Sequence, residues 1–83
     1  MMISEYKKKG LLVVGAKQTA KSLKEGKISK IYIAEDAENH VVKDIKALAS
    51  SNNVEIIMIE SMKDLGQKCG ITVSCAIAGV LFN

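Results

Sequence analysis

The sequence contains no arginine, no proline and no tryptophan, and it has a single histidine. All twelve basic residues are lysine. Because lysine is a point charge and lacks the planar fork of arginine, an anionic partner would be held by charge and not by bidentate reading of base edges. His40 lies far in sequence from the two cysteines, which argues against a zinc site. The missing residues therefore argue against base reading by arginine and against a zinc site.

Long apolar runs are also absent. No run approaches the roughly 20 residues that a membrane span requires. The N-terminal residues MMISEYKKKG lack the apolar core of a signal peptide. With 83 residues, 48% of them hydrophobic and 25% charged, the chain has the composition of one folded domain, and we assign residues 1–83 to it. We expect a cytoplasmic protein that does not contact the membrane.

The sequence has no recognisable catalytic constellation. Neither phosphate-loop fingerprint, G-x-G-x-x-G or G-K-[ST], occurs. Cys69 and Cys75 have no neighbouring base in sequence, and we interpret them as reduced core thiols in preference to a disulfide. Glu35 and Asp36 follow an apolar run, where a metal or acid site can lie, but helix capping explains them as well and is preferred. We expect no enzyme, no metal and no cofactor.

Charge is distributed unevenly along the chain. Residues 1–30 carry eight lysines against two glutamates, a net charge of +6, whereas residues 31–83 have a net charge of −3. A basic N-terminal third indicates a polyanionic partner for one face of the protein. A solvated lysine face that serves solubility explains the same distribution, so both interpretations remain open.

Apolar runs alternate with helical patterns along the whole chain. The runs typical of strands cover residues 11–14, 31–34, 56–59 and 76–82. The helical patterns cover residues 2–9, 16–25, 41–49 and 62–69, and Ser61 with Asp64 forms the spacing of a capping box. This alternation predicts an α/β fold, a three-layer α-β-α sandwich around a small mixed, largely parallel sheet.

The helix predicted over residues 16–25 has two distinct faces. Three lysines at spacing i, i+4 and i+7 share one face: Lys17, Lys21 and Lys24. Three apolar residues with the same spacing share the opposing face: Ala16, Ala20 and Leu23. Gly15 lies where a strand would turn into this helix, so bare N–H groups and the positive end of the helix dipole would stand beside Lys17. Such an arrangement suits a phosphate backbone.

Three ordered blocks of the sequence resemble the superfamily of ribosomal proteins L7Ae, L30e and S12e and the Gadd proteins. The blocks are GAKQTAK at 15–21, GKISKIYIAED at 26–36 and LGQKCGITV at 65–73, and the resemblance extends over residues 11–82. The short chain is similar to the bacterial L7Ae-like type. The resemblance implies an L30e-like α-β-α sandwich that binds kink-turn RNA, a helix–internal loop–helix with a three-nucleotide bulge and sheared G·A pairs.

The resemblance assigns roles to the residues that open the second helix. Gly15 would allow close approach of the backbone to RNA. Lys17 and Gln18 would meet base edges and backbone at the G·A pairs. Lys21 would contact a phosphate, and Lys24 lies on the same predicted face. These residues form the first half of the implied RNA site.

The second half of the implied site is the loop after the last helix. By resemblance, Ile71 and Val73 would pack on extruded bulge nucleotides, with Thr72 between them. From the residues alone, core packing before the last strand is the preferred interpretation of both apolar side chains, and the family resemblance reverses that preference. The platform would be aliphatic, in keeping with the absence of tryptophan.

Two departures from the family pattern concern RNA selectivity. Archaeal members carry Asn-Glu where this chain has Lys17-Gln18, and a neutral amide accepts hydrogen bonds less strongly than a carboxylate. The L30e branch also has lysine at the first position, so binding need not be lost. The proline that usually follows the acidic strand end is replaced by Asn39. We expect weaker or broader selectivity than in archaeal relatives.

The sequence thus predicts a non-enzymatic protein that recognises and stabilises kink-turn RNA and is ribosomal or ribosome-associated. Its expected partner is structured RNA, either ribosomal RNA or a riboswitch, and we expect a monomer with no DNA partner. The alternative is a protein-interaction module of the same superfamily that does not act through RNA. A third hypothesis, a small nucleotide-binding or hydrolytic domain, is supported only by Gly15 at the start of a helix.

Overall fold

A computed structural model describes residues 3–82 of the chain. Its helices are α1 (Ile3–Lys8), α2 (Ala16–Lys24), α3 (Asn39–Ser51) and α4 (Met62–Cys69). Its strands are β1 (Leu12–Val14), β2 (Ile28–Ala34), β3 (Glu55–Ile59) and β4 (Ile77–Leu81). Every helix and strand expected from the sequence is present, and β2 begins three residues earlier than predicted. Met2, included in the first predicted helix, lies outside the described residues.

The four strands form one mixed sheet in the order β1-β4-β2-β3. The α/β sandwich with a mixed sheet is confirmed, but its pairing is less parallel than predicted. Only β2 and β3 pair in parallel, whereas β4 is antiparallel to both β1 and β2. The three strands that alternate with helices do run in one direction. The difference arises because β4 inserts between β1 and β2 in the opposite direction.

The segment over residues 70–76, here called the return segment, sets the direction of β4. After α4 ends, this segment runs back to the start of the same helix, where the Cys75 N–H donates to the Met62 carbonyl (3.0 Å). The chain therefore enters the sheet at the end where β2 and β3 finish, and Ile77 pairs with Ile33. A strand that starts at that end must run antiparallel to its neighbours.

Gly66 allows the return segment to pack closely on α4. A Cβ atom at this position would overlap the Val73 carbonyl oxygen and stand 3.1 Å from the Cα of Ser74. Glycine inside a helix costs about 1 kcal/mol relative to alanine. The close approach of the return segment explains why a glycine is present here in spite of that cost, because any larger residue would prevent the approach.

The sheet is covered on both faces. The face under α2 and α3 buries Leu23, Ile31, Ile33, Ile45 and Ile77 among others. The face under α1 and α4 buries Tyr32, Ala34 and Leu65, together with Cys69 and Cys75. Alternation along β2 places Ile31 and Ile33 on one side and Tyr32 on the other, as a pleated strand requires. Both cysteines are buried free thiols, which confirms their interpretation.

Two oxygen atoms cap α4. The Ser61 hydroxyl accepts a hydrogen bond from the Asp64 N–H (3.1 Å), as the capping spacing predicted. Asp36 accepts from the Met62 N–H (2.7 Å), so its carboxylate caps α4 and not the helix that follows it in sequence. The residue before α3, Glu38, makes no side-chain capping bond. Capping thus accounts for Asp36, although at a different helix from the one expected.

Residues 3–82 contain no group of three or more histidine, cysteine, aspartate or glutamate residues placed to hold a metal ion. None of their helices has the length and apolar character needed to cross a membrane.

Replacing Gly66 by alanine tests the packing of the return segment. Although alanine favours the helix, its methyl group forces the Val73 carbonyl away, and overpacking of this kind costs roughly 1–3 kcal/mol. We expect Gly66→Ala to lower the free energy of unfolding, measured by urea denaturation followed by circular dichroism. Gln67→Ala, at the exposed next position, should change it little. A Gly66→Ala protein as stable as the parent would show that no close approach exists.

Candidate functional site

The turn from β1 into α2, here called the Gly15 corner, leaves backbone open to solvent. Gly15 has φ 101°, a conformation that favours glycine, and a Cβ placed there would have no atom within 4 Å. No side chain caps α2, and its first turn contains no acidic residue. Because the first N–H groups of a helix lack intrahelical partners, this corner is suited to an anion.

A lysine face continues from the corner along α2. Lys17, Gln18, Lys21 and Lys24 are exposed and, with Ala20, line one shallow surface depression. The ion pairs found within residues 3–82 join Lys27 to Glu25 and His40 to Glu38, so no lysine of this face is neutralised by an acidic neighbour. The predicted lysine face is therefore confirmed as an exposed surface of the helix.

The opposite side of α2 holds the helix against the sheet. Leu23 is fully buried, and Ala16 and Ala20 pack against the core under α2 and α3. A Cβ at Gly79 in β4 would stand 3.1 Å from the Thr19 methyl carbon and 2.9 Å from the Ile28 side chain. The absence of a side chain at Gly79 thus lets α2 lie close to β4, which fixes the position of the Gly15 corner.

The two apolar residues of the return segment have different environments. Ile71 is half-buried and packs against the core under α1 and α4, as the core-packing interpretation predicted. Val73 is 67% exposed, and Thr72 beside it is also exposed. The structure therefore offers Val73, more than Ile71, as an apolar surface for a partner.

The Gly15 corner and the return segment meet at one carbonyl group. The Ile77 oxygen accepts hydrogen bonds from the Gly15 N–H (2.8 Å) and from the Cys75 thiol (3.1 Å). The two halves of the predicted site consequently lie at the same end of the sheet. Since α2 covers one face and the return segment covers the other, the surface between them passes around the ends of β1 and β4.

The buried thiols form a polar contact beneath this surface. The hydrogen bond between them, reinforced by burial, raises the pKa of Cys69. The same bond lowers the pKa of Cys75 to about 7 against the opposing effect of burial, and the Gly15 backbone adds to the lowering. Because the Cys75 thiol donates to the same Ile77 oxygen that accepts from the Gly15 N–H, its sulfur helps to position the Gly15 corner.

Sequence reasoning missed two residues that position the site, Lys7 and Gly66, and it assigned the cap made by Asp36 to a different helix. Lys7 donates from its Nζ atom to the Gly70 carbonyl (3.0 Å), which fastens α1 to the start of the return segment. Gly66 admits the return segment, and Asp36 caps α4. Of the two missed residues, only Gly66 carried a sequence signal, as a glycine inside a helical pattern. The contacts of Lys7 and Asp36 join residues far apart in the chain.

Comparison with known proteins identifies close relatives. The chain is 50% identical over 66 residues to an RNA-binding protein of Caldanaerobacter subterraneus subsp. tengcongensis, covering 80% of each chain. It is 42% identical over 72 residues to an RNA-binding protein of Geobacillus thermodenitrificans, covering 87% of this chain and 88% of the relative.

A solved structure has the same fold. The 15.5kD RNA binding protein of Giardia lamblia superimposes with a TM-score of 0.91 at 22% identity, covering 98% of this chain and 68% of that one. At that level of identity the likeness establishes the fold alone. The sequence profile described as the ribosomal protein L7Ae/L30e/S12e/Gadd45 family matches residues 2–82. The chain belongs to this family.

Proposed function

We propose that this protein is a non-enzymatic RNA-binding protein that recognises and stabilises kink-turn RNA, in the ribosome or in association with it. The observation that carries the proposal is the open Gly15 corner, which continues into the lysine face of α2 and meets the return segment at Ile77. Relatives that are themselves named RNA-binding proteins support it. The proposed RNA-contacting residues are Gly15, Lys17, Gln18, Lys21, Lys24, Thr72 and Val73, with Ile71 supporting them from the core.

The corner would act on the RNA backbone through its uncapped N–H groups and Lys17. A regular RNA duplex has a deep, narrow major groove that side chains cannot read, so an internal loop is the accessible target. At such a loop the Gln18 amide can both donate to and accept from base edges. Lys21 and Lys24 would then follow the phosphates along α2, releasing counterions and adding affinity without sequence information.

The return segment would supply the apolar contact. A nucleotide extruded from the bulge has an exposed base face, and the side chain of Val73 presents an aliphatic surface to it. Ile71 would contribute indirectly, because its packing against the core holds the backbone of the segment in place. This proposed division of roles differs from the family resemblance, which implies the same role for Ile71 and Val73.

A protein-interaction module is the second candidate function. It is favoured by exposed acidic residues at the ends of β2 and β3, namely Glu35, Asp36, Glu38 and Glu60. Such a module would keep tight binding to its partner at high salt, and RNA would not compete. RNA held by lysines would instead dissociate as salt rises.

The kink-turn proposal is tested with two RNAs that differ only at the G·A pairs. We expect the RNA in which Watson–Crick pairs replace them to bind at least about tenfold more weakly, since loss of a specific base contact costs roughly 1–3 kcal/mol. Dissociation constants measured by filter binding at one fixed salt concentration provide the comparison. Equal affinity for both RNAs would refute kink-turn recognition.

A charge reversal on α2 tests the lysine face. We expect Lys21→Glu to weaken binding by about tenfold, because a phosphate contact is replaced by repulsion. Lys46→Glu on α3, also at an exposed lysine, changes the net charge equally and should have a much smaller effect. In Lys21→Gln, the slope of log K against log salt should fall in magnitude by about one. If Lys21→Glu and Lys46→Glu weaken binding equally, RNA does not contact the lysine face of α2 specifically.

Aspartate substitutions separate the roles of Val73 and Ile71. Because Val73 is exposed, Val73→Asp should weaken RNA binding by at least about fivefold while the melting temperature stays unchanged. Ile71→Asp should lower the melting temperature, since it places a charge against the core. Met58→Asp, at an exposed apolar residue of β3, is the control for added negative charge. Parent-like binding by Val73→Asp would remove the return segment from the site.

A further inference from the structure

An exposed aromatic ring lies at the end of the sheet away from the Gly15 corner. Phe82 is the only phenylalanine of the chain, and it is 64% exposed. Its N–H donates to the Lys27 carbonyl (2.9 Å), while the preceding Leu81 N–H donates to the Leu11 carbonyl (2.8 Å). Phe82 is therefore held between the turn that joins α1 to β1 and the turn that joins α2 to β2.

The two turns beside Phe82 are rich in lysine. Lys9 lies in the first turn and Lys8 is the last residue of α1 before it; Lys27 lies in the second turn and Lys24 is the last residue of α2 before it. All four are exposed. The acidic residues nearby in the chain are Glu5 and Glu25, and Glu25 pairs with Lys27 at 3.7 Å between charged atoms. Positive charge thus remains in excess around the ring, in contrast to the acidic residues at the ends of β2 and β3.

The two turns beside the ring are open to solvent. Gly10 and Gly26 form the two turns, and a Cβ placed on either would have no atom within 4 Å. Phe82 and the lysines of these turns are here called the Phe82 edge. Proteins that bind single-stranded nucleic acid combine a cationic surface, which follows the phosphates, with aromatic rings on which bases stack. The Phe82 edge has both features on a small scale.

We infer that the Phe82 edge is a second RNA-binding surface, and that it takes unpaired nucleotides. One base would stack on the Phe82 ring, and the adjoining phosphates would lie against Lys9 and Lys27. A paired duplex offers no free base face to the ring, so the single strand is the occupant that the chemistry favours. This inference goes beyond recognition at the Gly15 corner and does not require a kink-turn.

The lysine face of α2 connects the two surfaces. Helix α2 has nine residues and is therefore about 13 Å long, with Lys17 near the corner and Lys24 near the Phe82 edge. An RNA whose structured part is held at the corner could thus extend an unpaired tail along Lys21 and Lys24 to the ring. Tail and structured part would then bind as two linked contacts, which raises the affinity of the whole RNA.

Four fluorescent RNAs test this inference: a blunt-ended kink-turn RNA, two versions of it with a ten-nucleotide uridine tail at the 5′ or at the 3′ end, and a uridine decamer alone. We expect the tailed RNA, with its tail at the 5′ or the 3′ end, to bind at least about fivefold more tightly than the blunt one. Phe82→Ala should abolish this gain and leave the affinity for blunt RNA unchanged. Phe82→Tyr, which keeps a ring, should preserve the gain.

Matched lysine variants complete the experiment. The double variant Lys9→Gln, Lys27→Gln should reduce the gain from the tail, whereas Lys43→Gln, Lys46→Gln on α3 removes the same charge and should not. Absence of a gain from a tail at either end would overturn the inference. So would a Phe82→Ala protein, folded by circular dichroism, that keeps the gain or loses affinity for blunt RNA equally.

The same RNAs distinguish failure of this inference from failure of kink-turn recognition. If the parent binds the uridine decamer and Phe82→Ala does not, the Phe82 edge stands even where replacing the G·A pairs has no effect. If replacing the G·A pairs weakens binding but the tail adds nothing, the Gly15 corner stands and the inference is wrong.

Discussion

The hydrogen bond from the Gly15 N–H to the Ile77 carbonyl is the contact on which the site depends. It joins the turn before α2 to the first residue of β4, and the Cys75 thiol donates to the same oxygen. This arrangement exists only because the return segment brings the chain back along α4 before β4 begins. If β4 entered the sheet from the other end, the loop that carries Val73 and the Gly15 corner would lie at opposite ends of the molecule.

Local features could be predicted from the sequence because their causes are local. The lysine spacing of α2 and the Ser61 cap involve residues within seven positions of each other, and the structure has both. The placement of β4 could not be predicted, because it depends on the close contact between Gly66 in α4 and the Val73 carbonyl group in the return segment. For Ile71 the residues alone favour core packing and the family resemblance implies an exposed platform, because an apolar residue beside a polar one suits both positions. Contact of these residues with RNA stays a prediction.

Folding separates the lysines that the sequence concentrates in one third of the chain. One group follows the exposed face of α2, and another lies in and beside the two turns that contact the backbone near Phe82, at the far end of the sheet. The acidic residues Glu35, Glu38 and Glu60 lie at the ends of β2 and β3. A polyanion approaching this charge distribution would be drawn to α2 and repelled from the start of α3, which favours one orientation before any specific contact forms.

Rigid support of the corner bears on how tightly it can bind. Gly79 lets α2 lie against β4, Leu23 is fully buried beneath the helix, and Ile77 holds the turn in front of it. The N–H groups of the first turn are therefore fixed in direction before a ligand arrives. A binding surface that is already ordered loses less conformational entropy on association. Lysine side chains are flexible, so in a site without arginine this fixed backbone must supply most of the geometric specificity.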